Sequence, residues 1–199
     1  MNEARLPRDI VVVGGSAGSL TVVFTILQRL PRNLPALLAI VMHRSPTYNG
    51  QLVQLLGRRS HLPVSEPSHG DPLTHGQVYV APPDHHMRVD GAAWNVARGA
   101  KVHWARPAID PLFLSAASTF GARVVGIQLS GGGSDGVSGL ISIHGHGGLT
   151  MAQRPDEAQS PSMPSAAILK DDIDAVLSAD EIATAIPGLV IGDVISTLR

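Results

Sequence analysis

Three polar side chains stand where apolar runs end: Ser16 in Gly14-Gly15-Ser16-Ala17-Gly18, His43 after Leu37 to Met42, and Asp135 in Leu129-Ser-Gly-Gly-Gly-Ser-Asp-Gly136. The first stretch satisfies G-x-S-x-G, where small neighbours allow a sharp strand-to-helix turn that exposes a hydroxyl. A serine hydroxyl becomes a useful nucleophile when a histidine takes its proton and a carboxylate holds the histidine's other nitrogen. A helix beginning beside the serine adds free amides and a positive dipole end to stabilise a developing oxyanion. Acyl transfer is the chemistry that this set of residues could perform. Each residue also has a plainer reading alone: Ser16 as a helix cap, His43 as a polar residue at a sheet rim, Asp135 as a turn or cap former. The order Ser, His, Asp differs from the Ser, Asp, His order of α/β-hydrolases. A phosphate site fits less well, because the segment has neither G-x-G-x-x-G nor a P-loop lysine.

The elements that must position these residues follow from hydrophobic periodicity. Asp9 to Gly14 reads as a buried strand and Ser16 to Leu30 as a helix, with Leu20, Val23, Phe24, Leu27 and Leu30 on one face. Leu37 to Met42 is a second buried strand, followed by a helix over 50–59. Between His61 and Lys101, Gly76 to Ala81 and His86 to Asp90 read as strands flanking Pro82-Pro83-Asp84, with Trp94 to Val96 as a further candidate; this predicts an antiparallel hairpin. A helix over 110–120, a strand over 123–129, a helix over 136–144, short strands over 149–152 and 175–177, and a closing helix with the capping-box spacing Ser178 to Glu181 complete the chain. Apolar runs without alternation belong to parallel strands covered on both faces. The expected fold is therefore α/β: a doubly wound, mostly parallel sheet with helices on both faces and an antiparallel hairpin excursion, carrying ligands at the carboxyl ends of its strands.

Composition narrows the function classes. Hydrophobic residues make up 44% of the 199-residue chain and charged residues only 16%, which supports a large core and excludes a disordered chain. No apolar run approaches the roughly 20 residues of a membrane span, and Glu3, Arg5 and Arg8 replace the apolar part of a signal peptide. A cytoplasmic location without membrane insertion is expected. The absence of cysteine removes disulfides, thiolate nucleophiles and cysteine-based zinc sites. His85-His86 and His144-x-His146 lack a closed ligand set, so no metal and no cofactor is expected. Residues 1–155 hold 13 basic and 8 acidic side chains, whereas 156–199 hold 2 and 8. There is no Lys/Arg run and few aromatics, which argues against nucleic acid. Arg44, Arg58, Arg59, Arg98 and Arg106 suggest instead a rim facing an acidic protein partner. Asp156-Glu157 and Lys170 to Asp174 read as solvated surface.

In order, VVVGGSAGS, IVMHRSP, HGDPLTHGQVYVAPPDHHM, RPAIDPLFLSAA, LSGGGSDGVSGL and GGLTMAQRPDEAQSPSMPSAAI resemble the blocks of the catalytic domain of bacterial chemotaxis protein-glutamate methylesterases, over about residues 9–187. The resemblance implies hydrolysis of glutamate γ-methyl esters on methylated chemoreceptor cytoplasmic helices, with glutamine deamidation in some members. It assigns Ser16 as nucleophile, His43 as general base then acid, and Asp135 as the orienting carboxylate. The sequence departs from the family pattern at Ala17, Ser19 and Gly132, where threonine, glycine and methionine are usual, which bears on the oxyanion donors and on substrate choice. Family members commonly carry a receiver domain ahead of this unit, and only about eight residues precede the first strand here. The expectation is a single catalytic domain over 1–199, with any control exerted by a separate response regulator. A signalling interaction module without catalysis and a small-molecule esterase or amidase are the alternative readings.

Overall fold

The β-branched run starting at Ile10 forms the middle of a parallel sheet. The structure, a computed structural model, describes residues 7–45, 51–170 and 173–193. In chain order the strands of the main sheet are β1 (Ile10–Gly15), β2 (Leu37–Met42), β3 (Val64–Ser65), β4 (Gln77–Val80), β7 (Val124–Gln128), β8 (Leu149–Gln153) and β9 (Ala175–Leu177). They lie in the order β3-β4-β2-β1-β7-β8-β9, all parallel. A separate antiparallel hairpin, β5 (His86–Asp90) with β6 (Ala93–Ala97), turns at Gly91. The helices are α1 (Ser19–Arg29), α2 (Leu52–Gly57), α3 (Ile109–Phe120), α4 (Val137–Gly145), α5 (Ser162–Lys170) and α6 (Ala179–Val190).

Every residue of β1 is buried, because alternate side chains enter two different cores. Val11 and Val13 join α1, α2 and α6 on one face, while Ile10 and Val12 join α3, α4 and the hairpin on the other. The second core contains Trp94, Phe113 and Met87, all fully buried. This is the doubly wound architecture expected from the sequence.

Two expectations are corrected. The stretch ending at Ala81 does not pair with His86 to Asp90; β4 joins the main sheet beside β2, and the hairpin is made by the next two strands. Tyr79 and Val80 are buried on both faces, and the Pro82-Pro83 pair carries the chain out of the sheet instead of folding it back. The region between β8 and β9, to which the sequence reading assigns no element, contains α5. Its prolines conceal the helix, yet Pro164 lies in the first turn, where a helix needs no intrahelical N–H donor. The capping box at Ser178 and Glu181 forms as expected, and α6 runs on through Pro187 to Val190. Gly50, at the expected start of the second helix, Asp171 and Asp172 in the acidic stretch, and residues 194–199 lie outside the described residues.

Candidate active site

The sheet brings together the three residues singled out by sequence. β1 departs toward β2 on one side and lies beside β7 on the other, so the crevice at its carboxyl end is a topological switch point, the usual ligand position in such sheets. The ladder continues past the strand ends: the His43 amide donates to Gly15 O (3.1 Å), the Ser16 amide to Ser130 O (2.9 Å) and the Leu129 amide to Gly14 O (2.8 Å). With Gly15 opposite Met42 in register, Ser16 and His43 are the next residues of adjacent strands, whose spacing is about 4.8 Å.

Ser16 follows β1 directly and α1 begins three residues later, with Gly18 in the left-handed conformation (φ 81°) making the turn. Ser16 is half-buried, and its Oγ makes no hydrogen bond to a described residue. Gly131 packs on it from the β7 side: a Cβ there would lie 2.9 Å from Ser16 Cβ and collide with Met163 Sδ. Ser130 ties this loop down, donating from Oγ to Ala17 O (2.7 Å) and accepting from the Ser160 amide (2.9 Å). The amides of Ala17 and Gly132 have no acceptor among the described residues. A side chain at Gly132 would enter open space.

His43 and Asp135 are joined directly, Nε2 to Oδ2 at 2.7 Å. The imidazole is partly exposed and the carboxylate is buried. With the ring proton on the nitrogen that faces the carboxylate, Nδ1 is left as the basic lone pair. Asp135 also accepts the amides of Ile109 (2.8 Å, Oδ2) and Asp110 (3.0 Å, Oδ1). It therefore caps α3, from a loop that leads into α4. Asp110 returns the arrangement, its Oδ1 accepting the amides of Gly136 (3.1 Å) and Gly139 (2.8 Å) at the start of α4. The two carboxylates interlock two helix N-termini, which fixes the height of Asp135 under the imidazole.

Burial pushes the Asp135 carboxyl up, but hydrogen bonds from His43, Ile109 and Asp110 outweigh it and hold the group below the ordinary aspartate value. Asp110 goes the other way, raised by burial and by the Asp135 charge beside it in spite of the Gly139 amide and His103. Asp135 binds fewer protons folded than unfolded, so its contribution to stability is complete above about pH 4 and is lost as pH falls through the folded value. We expect Asp135→Asn to cost on the order of 1–3 kcal/mol at neutral pH, with a smaller gap from wild type below about pH 3, read from urea midpoints. A gap that does not change with pH would contradict an ionised Asp135.

His103 donates from Nε2 to Asp110 Oδ2 (2.9 Å), and ligand atoms of His103, Asp110 and Asp135 lie within 4.8 Å of one another. Their oxygens already accept amides or imidazoles, so this cluster is accounted for as helix capping. The other histidine pairs point to backbone: His85 Nδ1 meets Pro83 O, His86 Nε2 meets Ala100 O and His146 Nδ1 meets Ser142 O. His144 has a carboxylate 3.9 Å away in Asp174, a neighbour that sequence spacing did not reveal.

A cleft of about 360 Å³ opens beside His43, walled by Arg44, Lys101, Trp104 and Arg106. The arginine rim expected from sequence is only partly assembled. Arg44 is committed to Glu66 Oε1 (2.5 Å) and Ala81 O (2.5 Å), and Arg98 and Arg106 both hold Asp84. Arg58 and Arg59 do not line the cleft, and Arg59 stacks on Phe24. Sequence reasoning missed Asp110, His103 and Trp104. Asp110 was visible only as a first-turn acid ahead of Pro111, and the other two sit in an aperiodic loop where an aromatic residue was the sole hint.

Residues 11–186 match the family described as CheB methylesterase. Among relatives, protein-glutamate methylesterase/protein-glutamine glutaminase 2 of Anaeromyxobacter dehalogenans is 38% identical over 180 residues, covering 89% of this chain and 52% of that protein. The protein-glutamate methylesterase/protein-glutamine glutaminase of Symbiobacterium thermophilum is 38% identical over 184 residues, covering 92% and 51%. The chain thus spans about half the length of these curated relatives. The crystal structure of the Thermotoga maritima CheB methylesterase catalytic domain superposes with a TM-score of 0.87 at 29% identity, over 93% of this chain and 100% of that one. With the family match and the fold in agreement over most of its length, the chain belongs to the CheB methylesterase family.

Proposed function

We propose that this protein is a serine esterase that hydrolyses glutamate γ-methyl esters on the cytoplasmic helices of chemoreceptors. The observation that carries the reading is the His43–Asp135 pair at the strand end next to Ser16, with Nδ1 left free as a base. Ser16 Oγ attacks the ester carbonyl while His43 Nδ1 takes its proton. The tetrahedral oxyanion is met by the unpaired amides of Ala17 and Gly132 and by the N-terminal end of α1. His43 then protonates the departing methoxide, which leaves as methanol. Water, deprotonated by the same imidazole, attacks the acyl-serine and releases the glutamate carboxylate and the serine hydroxyl. The donors are backbone groups, so Ala17 and Gly132 supply them in spite of departing from the family's usual side chains. The same attack on a glutamine amide would release ammonia, the deamidation implied by the relatives' names.

Among the described residues no helix is long and apolar enough to cross a membrane. The substrate helix would have to reach the cleft beside His43 from outside. The test is methanol release from a receptor cytoplasmic fragment methylated on its glutamates. Stoichiometric methanol supports the assignment; none from the fragment, with turnover of nitrophenyl esters, would replace it with a small-molecule esterase.

A further inference from the structure

The residue of this cleft that the chemistry leaves unused is Trp104. Its side chain is 93% exposed, the most open large apolar group among the described residues, while the other tryptophan, Trp94, is buried. Trp104 sits at the apex of a two-residue turn closed by reciprocal backbone bonds between Val102 and Ala105 (3.1 and 2.9 Å). Both apex residues have positive φ, 49° at His103 and 63° at Trp104. That is the geometry of a type I′ turn, which ordinarily takes Asn and Gly. A β-carbon in this region costs on the order of 1 kcal/mol per residue, and such strain persists where the surroundings impose it.

The surroundings do impose it. His103 is anchored to Asp110, and Asp110 caps the helix that follows the Asp135 loop. On the N-terminal side, His86 holds Ala100 O (2.8 Å). On the C-terminal side, Arg106 bonds Asp84 (2.8 Å from Nε) and Gly99 O. The turn is therefore pinned on both flanks, and its indole is held out over the same cleft that His43 lines. Lys101, on that cleft, has no ion-pair partner among the described residues, unlike Arg44, Arg98 and Arg106.

We propose that Trp104 and Lys101 form the recognition edge of the active site, Trp104 packing on the apolar flank of an acidic amphipathic helix and Lys101 facing its unesterified carboxylates. The inference rests on the proposed function, since that helix is the one presenting the methyl ester. It makes Trp104 a specificity-determining residue, acting on capture of the protein substrate and not on bond breaking. A rigid, pre-exposed indole loses little entropy on docking, and tryptophans of this kind dominate binding energy at protein interfaces.

The test uses the full chain and a methylated receptor cytoplasmic fragment. In Ser16→Ala protein, which keeps the ester intact, adding the fragment should protect the one exposed indole from acrylamide quenching and shift its emission to the blue. In the active enzyme, Trp104→Ala should raise KM for the fragment on the order of tenfold with kcat little changed, and Trp104→Phe should recover most of the loss. Unaltered quenching at saturating fragment, or an unaltered KM in Trp104→Ala, would overturn this inference and leave the esterase assignment standing. Absence of methanol release by the wild-type enzyme would overturn the assignment and this inference with it.

Discussion

Asp135→Asn should lower kcat for ester hydrolysis by about 10⁴ while leaving the protein folded at neutral pH. The size follows from the tautomer. Asp135 has three donors around it, the His43 imidazole and the amides of Ile109 and Asp110. An asparagine can still accept the Asp110 amide through its carbonyl, but its NH₂, at the position of Oδ2, would then face both the Ile109 amide and Nε2 and could only donate. His43 would respond by carrying its proton on Nδ1, the nitrogen needed as the base. Geometry would survive and the base would be lost. The measurement is kcat alongside a thermal melt: a folded Asp135→Asn protein with nearly wild-type turnover would show that the carboxylate serves only as the cap of α3.

Ser16→Ala and His43→Ala should each lower kcat by about 10⁴ to 10⁶, and the double variant should be no slower than the worse single one. Residues that act as a unit behave in this way because the base has nothing to activate without its nucleophile. What activity is left would come from the unpaired amides at Ala17 and Gly132 and from binding. Additive losses, the double variant falling by the product of the two, would mean that the residues act in separate steps. Neither substitution should unfold the protein. Ser16 Oγ holds no hydrogen bond to a described residue, and His43 is partly open to solvent. Asp135 would keep its two amide donors after His43 is removed.

Much of this was legible because the site belongs to the ends of elements with strong hydrophobic signals. The run at Ile10, the run at Leu37 and the run at Val124 are all fully buried strands; the first two are followed at once by Ser16 and His43, and the third leads through the glycine-rich loop to Asp135. The resemblance of six ordered motifs then supplied roles that spacing alone left open. Sequence was a weaker guide where tertiary contacts decide. Nothing local tells β4 to pair with β2 and not with β5; the choice is made by burial of Tyr79 and Val80 between layers. α5 is hidden by Pro161 and Pro164 because proline is a breaker in a helix interior but not in a first turn. The exchange of caps between Asp110 and Asp135 joins residues 25 positions apart, beyond any local rule. The turn at His103 and Trp104 contradicts its own residue types, and such conflicts concentrate at functional sites.

Labelling with a serine-directed fluorophosphonate tests the central claim most directly, because it asks for the activated nucleophile without requiring the receptor. One phosphonyl group should add per chain, map to the peptide containing Ser16, and form far more slowly in His43→Ala. No adduct on the folded wild-type protein, or an adduct on another residue, would contradict the account.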